Sequence, residues 1–209
     1  WNDLVRRIQK ISDTVRIGIV GKYFESGAFT LADSYLSVIE AIKHASWKLK
    51  HKPVIEWLNA QDYEKDPVSL ASLKQYHGII VPGGFGSRGV EGKIAAIHYC
   101  RKHNIPYLGL CYGLQLAVVE FARNVCGLAG AHTTEVDPQT KYPVIHTMPD
   151  QLANIREHHM GGSMRLGDYA CELAKATKSA AQYATPTIEE RHRHRYEVNN
   201  EFRPLLEQK

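Results

Sequence analysis

Through residue 124 of this 209-residue chain, short apolar runs repeatedly break at glycine or proline and give way to residues at helical spacing. Strands are expected over 15–21, 53–58, 78–84 and 105–110, and helices over 31–50 (apolar at Leu36, Ile39, Ile42 and Trp47), 70–76, 90–103 and 112–124. An alternation of buried strands with helices predicts an α/β fold: a mostly parallel, doubly wound sheet with helices on both faces. Ligands of such sheets bind outside the carboxyl ends of the strands. Two glycine-rich strand ends, Pro82-Gly-Gly-Phe-Gly86 and Gly109-Leu-Cys-Tyr-Gly113, are therefore expected on one rim. After about residue 130 the apolar pieces shorten (144–148, 163–166, 180–184), which predicts an irregular, strand-rich second half.

The second glycine-rich end holds Cys111. A G-x-C-x-G element between an apolar run and a helix-forming stretch reads as a nucleophile elbow, a sharp corner that exposes the thiol beside converging backbone N–H groups. A thiol at a helix N-terminus is also expected to have its pKa lowered by the helix dipole. The plain alternative for any free cysteine is inert burial. Glycines two residues before and after argue against it, because strand and helix interiors have little use for them. Pro82-Gly-Gly-Phe-Gly86 alone would be a tight turn. On the same rim as the elbow it becomes a candidate oxyanion loop, where backbone N–H groups approach a ligand.

Composition bounds the rest. The chain is 44% hydrophobic and 23% charged with a net charge of +4, that of an ordinary globular protein, and it has no run long enough to span a membrane. One domain is expected. Four cysteines without CxxC spacing suggest neither a zinc site nor a disulfide framework, so a cytoplasmic location is expected. The run Arg191-His-Arg-His-Arg195 would suit a phosphate, but no nucleic-acid-binding pattern accompanies it. A solvated strand with Arg191, Arg193 and Arg195 on one face is the simpler expectation.

Six segments carry a family resemblance: Val20-Gly-Lys-Tyr23, residues 33–44, residues 82–93 (beginning Pro82-Gly-Gly-Phe-Gly-Ser-Arg-Gly), Gly109-Leu-Cys-Tyr-Gly-Leu-Gln115, Gly161-Gly-Ser-Met-Arg-Leu-Gly167 and Glu190-Arg-His-Arg-His-Arg-Tyr-Glu-Val-Asn199. Together they resemble the class I glutamine amidotransferase (glutaminase) domain of the CTP synthase family, over nearly the whole chain. The resemblance implies a flavodoxin-like fold and a two-domain ligase. One domain hydrolyses L-glutamine; the other, a UTP- and ATP-binding synthetase domain that also uses Mg2+, accepts the ammonia to make CTP.

By that resemblance Cys111 is the nucleophile and the backbone N–H groups of Gly84 and Tyr112 form the oxyanion hole. Gly84, Tyr112, Gly113, Leu114, Gln115, Glu135 and Arg195 line the glutamine pocket. No cofactor and no metal are implied for this domain. GTP is implied as an activator, with Arg88 and Lys93 of the 85–93 loop as candidate contacts, and the full-length enzyme is implied to be a homotetramer. No nucleic acid or membrane partner is expected. Residues 1–14 are expected to be a linker from the synthetase domain, and 15–209 a C-terminally incomplete amidotransferase domain.

The chain departs from the family at one point. Class I amidotransferases complete the site with a late His-x-Glu, the general base and its orienting carboxylate, and none occurs among these 209 residues. Of the 11 histidines, His146, the pair His158 and His159, His192 and His194 are conspicuous, but none precedes a carboxylate in a comparable setting. Weak or absent turnover is expected for this polypeptide. Two other readings stay open: another cysteine-elbow hydrolase, and a non-catalytic module that binds glutamine or a partner.

Overall fold

A computed structural model describes residues 1–21, 25–26, 29–30, 35–147 and 165–209. In chain order its strands are β1 (Thr14–Gly21), β2 (Glu25–Ser26), β3 (Phe29–Thr30), β4 (Lys52–Asn59), β5 (Gly78–Val81), β6 (Tyr107–Gly109), β7 (His132–Thr133), β8 (Pro143–Thr147), β9 (Arg165–Glu172), β10 (Thr187–His194) and β11 (Tyr196–Val198). Its α-helices are α1 (Asn2–Gln9), α2 (Leu36–Lys48), α3 (Ala60–Lys65), α4 (Val90–Lys102), α5 (Tyr112–Asn124), α6 (Lys178–Tyr183) and α7 (Arg203–Glu207), with a 3-10 helix over Pro67–Gln75. The start of the expected 31–50 helix, the His158 and His159 pair and Gly161 to Met164 lie outside the described residues.

The chain divides into two compact units, Trp1–Ile145 with Val198–Lys209, and His146–Glu197. The first is built on four parallel strands in the order β4-β1-β5-β6. Numbered within the sheet this is 2-1-3-4, so the direction of winding reverses between β1 and β5. Ligands of such sheets bind outside the carboxyl ends of the strands beside a reversal of this kind.

Period-two alternation decides what each face meets. Ile17, Ile19, Ile55, Trp57 and Ile80 pack with Val38 and Ile42 of α2 and with Tyr35. The intervening Gly18 turns the other way, where a Cβ would stand 2.7 Å from Leu58 and 2.8 Å from Ile79. Helices α4 and α5 cover that second face, burying Ile79, Ile94, Leu116 and Val119 almost completely. Full burial of each such side chain is worth about 1.5–3 kcal/mol, so this layer is a large share of the core.

A charged cluster centred on Glu120 joins α4 and α5. Glu120 is 1% exposed and accepts from Arg101 Nη2 at 2.7 Å, from Arg101 Nε at 2.9 Å and from Asn124 at 3.1 Å, with His98 Nδ1 at 2.8 Å. Burial opposes ionisation of this carboxyl, but the bonds from Arg101 and His98 outweigh it and hold the pKa below the ordinary glutamate value.

The α2 face is covered only in part. An apolar groove of about 750 Å³ runs beside α2, lined by Val15, Ile17, Val38, Ile80, Leu108 and Leu110 among others.

The expected 70–76 helix is a longer 3-10 turn preceded by α3. Both begin at polar caps: Asn59 accepts from the Gln61 N–H at 3.1 Å, and Asp66 accepts from the Val68 N–H at 3.0 Å with Pro67 behind it. In the second unit β9 and β10 form an antiparallel ribbon. The apolar piece 180–184, in the half expected to be strand-rich, instead forms the end and C-cap of α6, because the Thr177 hydroxyl caps the Ala180 N–H at 3.1 Å and starts a helix.

Candidate active site

The turn after β6 is held from several sides. Leu110 N–H still bonds Val81 O at 3.0 Å, continuing the sheet, while Gly113 N–H closes on Leu110 O at 2.9 Å and Gln115 N–H on Cys111 O at 3.1 Å to open α5. Between them Cys111 is driven to φ 52° and ψ −106°. A non-glycine residue held there costs about 1–3 kcal/mol and persists only where its surroundings over-determine it. This is a strained nucleophile elbow.

The flanking glycines serve close packing. A Cβ on Gly113 would stand 1.9 Å from Val81 O, and one on Gly109 would stand 2.6 Å from the Gly113 carbonyl carbon. Only glycine at both positions lets α5 start directly against β5 and β6. The Tyr107 hydroxyl then ties the corner by donating to Gly113 O at 2.7 Å.

The glycine loop after β5 faces the elbow. A Cβ on Gly83 would lie 3.5 Å from the Cys111 Cβ, and one on Gly84 would lie 3.7 Å from Lys93 Nζ and 3.8 Å from Tyr112 Cδ1. Gly86, at φ 76°, is gripped through both of its backbone groups. Its N–H donates to Glu135 Oε1 at 2.7 Å, and its carbonyl accepts from the Tyr112 hydroxyl at 2.8 Å.

Electrostatics at Cys111 run opposite to the expectation from the helix dipole. The side chain is exposed, yet crowding by neighbouring groups raises the thiol above the ordinary cysteine value. The Tyr112 N–H, bonding the sulfur, works against that rise, and the Glu135 charge adds to it. Among the described residues no imidazole figures in the shift. His132 points elsewhere, accepting the Thr133 N–H at Nδ1 (2.9 Å) and facing Glu91 from Nε2 at 3.6 Å. Burial, and then the nearby Arg123, lower its pKa.

The other expected site residues are placed as follows. Tyr112, Gly113, Leu114 and Gln115 form the first turn of α5, with Leu114 53% exposed and the other three buried. Glu135 stands in the turn after β7, where its N–H bonds Thr133 Oγ1 at 3.2 Å. Arg195 belongs to the second unit and does not share a strand face with Arg191 and Arg193. The ribbon register ends at His194 opposite Arg165, so Arg195 falls in a bend between β10 and β11. Arg191 and Arg193 are exposed, whereas His192 packs edge-on to Tyr169 with ring centroids 5.2 Å apart.

Of the two cations suggested for a nucleotide contact, Arg88 is exposed and Lys93 is 1% exposed beneath the loop. The bonding of Gly86 and the burial of Lys93 were not foreseen. The hint available was that Gly86 and Lys93 flank the glycine loop within one motif.

A strained cysteine elbow facing a glycine loop, at the carboxyl edge of a parallel sheet, is the arrangement of the cysteine-nucleophile class of α/β proteins. The comparisons narrow that class. Residues 30–207 match the family described as glutamine amidotransferase class-I. The CTP synthase of Listeria innocua is 49% identical over 208 residues, covering 100% of this chain and 37% of that protein. The CTP synthase of Thermococcus kodakarensis is 51% identical over 202 residues, covering 97% of this chain and 36% of that protein. Among solved structures, the glutaminase domain of Trypanosoma brucei CTPS with bound acivicin superposes with a TM-score of 0.82 at 36% identity, covering 93% of this chain and 72% of that one. The chain belongs to the class-I glutamine amidotransferase family, and within it to the glutaminase domains of CTP synthases. It spans just over a third of the length of the CTP synthases it matches.

Proposed function

We propose that this chain hydrolyses L-glutamine at Cys111 and supplies ammonia for CTP synthesis. The observation that carries the reading is Cys111 itself, strained at the elbow with the Gly83–Gly84 loop against it and the Tyr112 N–H on its sulfur. The thiolate attacks the carbonyl carbon of the glutamine side-chain amide, forming a C–S bond and placing negative charge on oxygen. Backbone N–H groups of Gly84 and Tyr112 stabilise that oxyanion, a contribution of about 3–4 kcal/mol per donor in comparable sites. Collapse breaks the C–N bond, ammonia leaves after protonation of the nitrogen, and water cleaves the glutamyl thioester to give glutamate and the free thiol.

Charge decides the pocket's orientation. Glu135, whose charge is felt at Cys111, is the anion for the α-ammonium group of glutamine. The family's proton carrier is the histidine of His-x-Glu. No His-x-Glu occurs among these 209 residues, so turnover by this polypeptide is expected to be about 10²–10⁴-fold below that of an amidotransferase domain that carries one. Thioester formation is expected to survive better than turnover.

In the whole enzyme, a synthetase domain using ATP and Mg2+ would aminate UTP with the ammonia, with α1 and the turn after it as the connection. Among the described residues no group of three or more His, Cys, Asp or Glu side chains could hold a metal ion, and no step at Cys111 is routed through one. GTP activation, a tetramer formed through the synthetase domain and a cytoplasmic location complete the proposal, supported by the likeness to CTP synthases and by four free cysteines. Among the described residues no helix is long and apolar enough to cross a membrane.

The test is covalent. Acivicin, a glutamine-like electrophile, is expected to label Cys111, and L-glutamine to block it. Labelling indifferent to L-glutamine would remove the proposal.

A further inference from the structure

The oxyanion loop is not part of a strand or helix, and two side chains grip it at Gly86: Glu135 at the N–H and Tyr112, the residue after the nucleophile, at the carbonyl. Tyr112 is 1% exposed. Its backbone opens α5 directly after Cys111, while its hydroxyl reaches back to donate to Gly86 O at 2.8 Å. Lys93, also 1% exposed, rises from α4 with Nζ 5.4 Å from the centre of the Tyr112 ring and 3.7 Å from where a Gly84 Cβ would lie. A fully buried lysine is rare unless its charge is matched by a partner, and here an aromatic face supplies part of the match. Loop and elbow are thus joined through the phenol, with the ammonium packed behind both.

We infer that Tyr112, through its hydroxyl, and Lys93 are positioning residues that fix the Gly84–Gly86 backbone against Cys111, so that one tyrosine sets both sides of the oxyanion hole. The inference rests on the glutaminase reading for its consequence, and for its structure on the Tyr112 hydroxyl bond and the packing of Lys93 against the Tyr112 ring. A loop free to move by even an ångström would lose most of the benefit of preorganised donors.

The experiment compares Tyr112→Phe, which keeps the backbone N–H, with the native 209-residue chain. Three measurements are made: amide hydrogen exchange over residues 83–86, and alkylation rates of Cys111 by acivicin and by iodoacetamide. Loss of the Tyr112 hydroxyl bond to the Gly86 carbonyl should loosen the loop, so that the Gly86 N–H leaves Glu135 more often and exchanges about five- to tenfold faster. Acivicin labelling should slow by about tenfold, because acivicin needs the oriented pocket, while iodoacetamide labelling should stay within about twofold. Unchanged Gly86 exchange together with unchanged acivicin labelling in a folded variant overturns the inference.

If native Cys111 reacts with iodoacetamide but not with acivicin, the glutaminase reading fails, and Gly86 exchange alone still decides the latch. If Tyr112→Phe loses its cooperative unfolding transition, Lys93→Met takes its place in the same measurements. Native exchange and native acivicin rates in that variant overturn the inference equally.

Discussion

Cys111 is strained into reach of substrate, while its surroundings hold the thiol above the ordinary cysteine value. Crowding and the Glu135 charge favour the neutral thiol, and one backbone N–H opposes them. Replacing Glu135 with glutamine removes a negative charge that disfavours thiolate, so the thiol pKa should fall. Alkylation of Cys111 by iodoacetamide at neutral pH should then quicken by about two- to fivefold, with the pH–rate curve moving to lower pH. A rate profile that does not move would mean that Glu135 exerts no field at the sulfur. The same substitution removes the anion proposed for the α-ammonium group, so protection by L-glutamine should weaken as basal reactivity rises.

Residue identity was legible in the sequence where chemistry and spacing coincide. Cys111 stood out because a cysteine between glycines at a strand-to-helix junction has few other uses. Its ionisation was not legible, since the helix dipole is a local rule whereas desolvation and the Glu135 field come from tertiary neighbours 24 residues away in the chain. Arg195 was misplaced for a similar reason: alternation continues in the sequence past the point where the partner strand ends.

At the scale of elements, the junction of β5, β6 and α5 depends on two missing side chains. Alanine favours a helix over glycine by about 1 kcal/mol, but a Cβ on Gly113 would meet Val81 O at 1.9 Å, and overpacking of this kind costs about 1–3 kcal/mol or more. Sterics should win. Gly113→Ala is expected to lower the urea unfolding free energy by at least about 2 kcal/mol; a variant as stable as the native chain would show that α5 can shift freely.

The α4–α5 pair gives a second prediction, this one with a pH sign. Because the folded pKa of Glu120 lies below its ordinary value, its pairing adds stability above the ordinary glutamate range, and that stability is lost as pH falls through the folded value. Glu120→Gln should cost about 1–2 kcal/mol near neutral pH, and the gap to the native chain should close as the solution is acidified. A constant gap across that range would contradict the pairing. Strand and helix order in the first unit followed from apolar spacing, whereas α3 and α6 were missed because short helices are set by caps at Asn59 and Thr177 and leave little apolar periodicity.

At the scale of the molecule, the sheet order brings the ends of β5 and β6 side by side, which is why two glycine motifs far apart in sequence face each other. That juxtaposition was legible, because alternation implies a parallel sheet and parallel sheets gather their loops at one edge. The division into two compact units was not, because the composition changes only gradually after residue 130, while the contacts that make each unit compact follow from its tertiary fold. Identity to CTP synthases extends across both units, and the cysteine centre lies wholly in the first.

The central claim is that Cys111 is the nucleophile of a glutamine site. The most direct test is mass spectrometry of the 209-residue chain after exposure to acivicin, with and without L-glutamine. The account predicts one adduct, on the peptide holding Cys111, absent from Cys111→Ala and suppressed by L-glutamine but not by L-glutamate at equal concentration. An adduct on Cys100, Cys126 or Cys171 in place of Cys111, or one on Cys111 that L-glutamine leaves untouched, would contradict it.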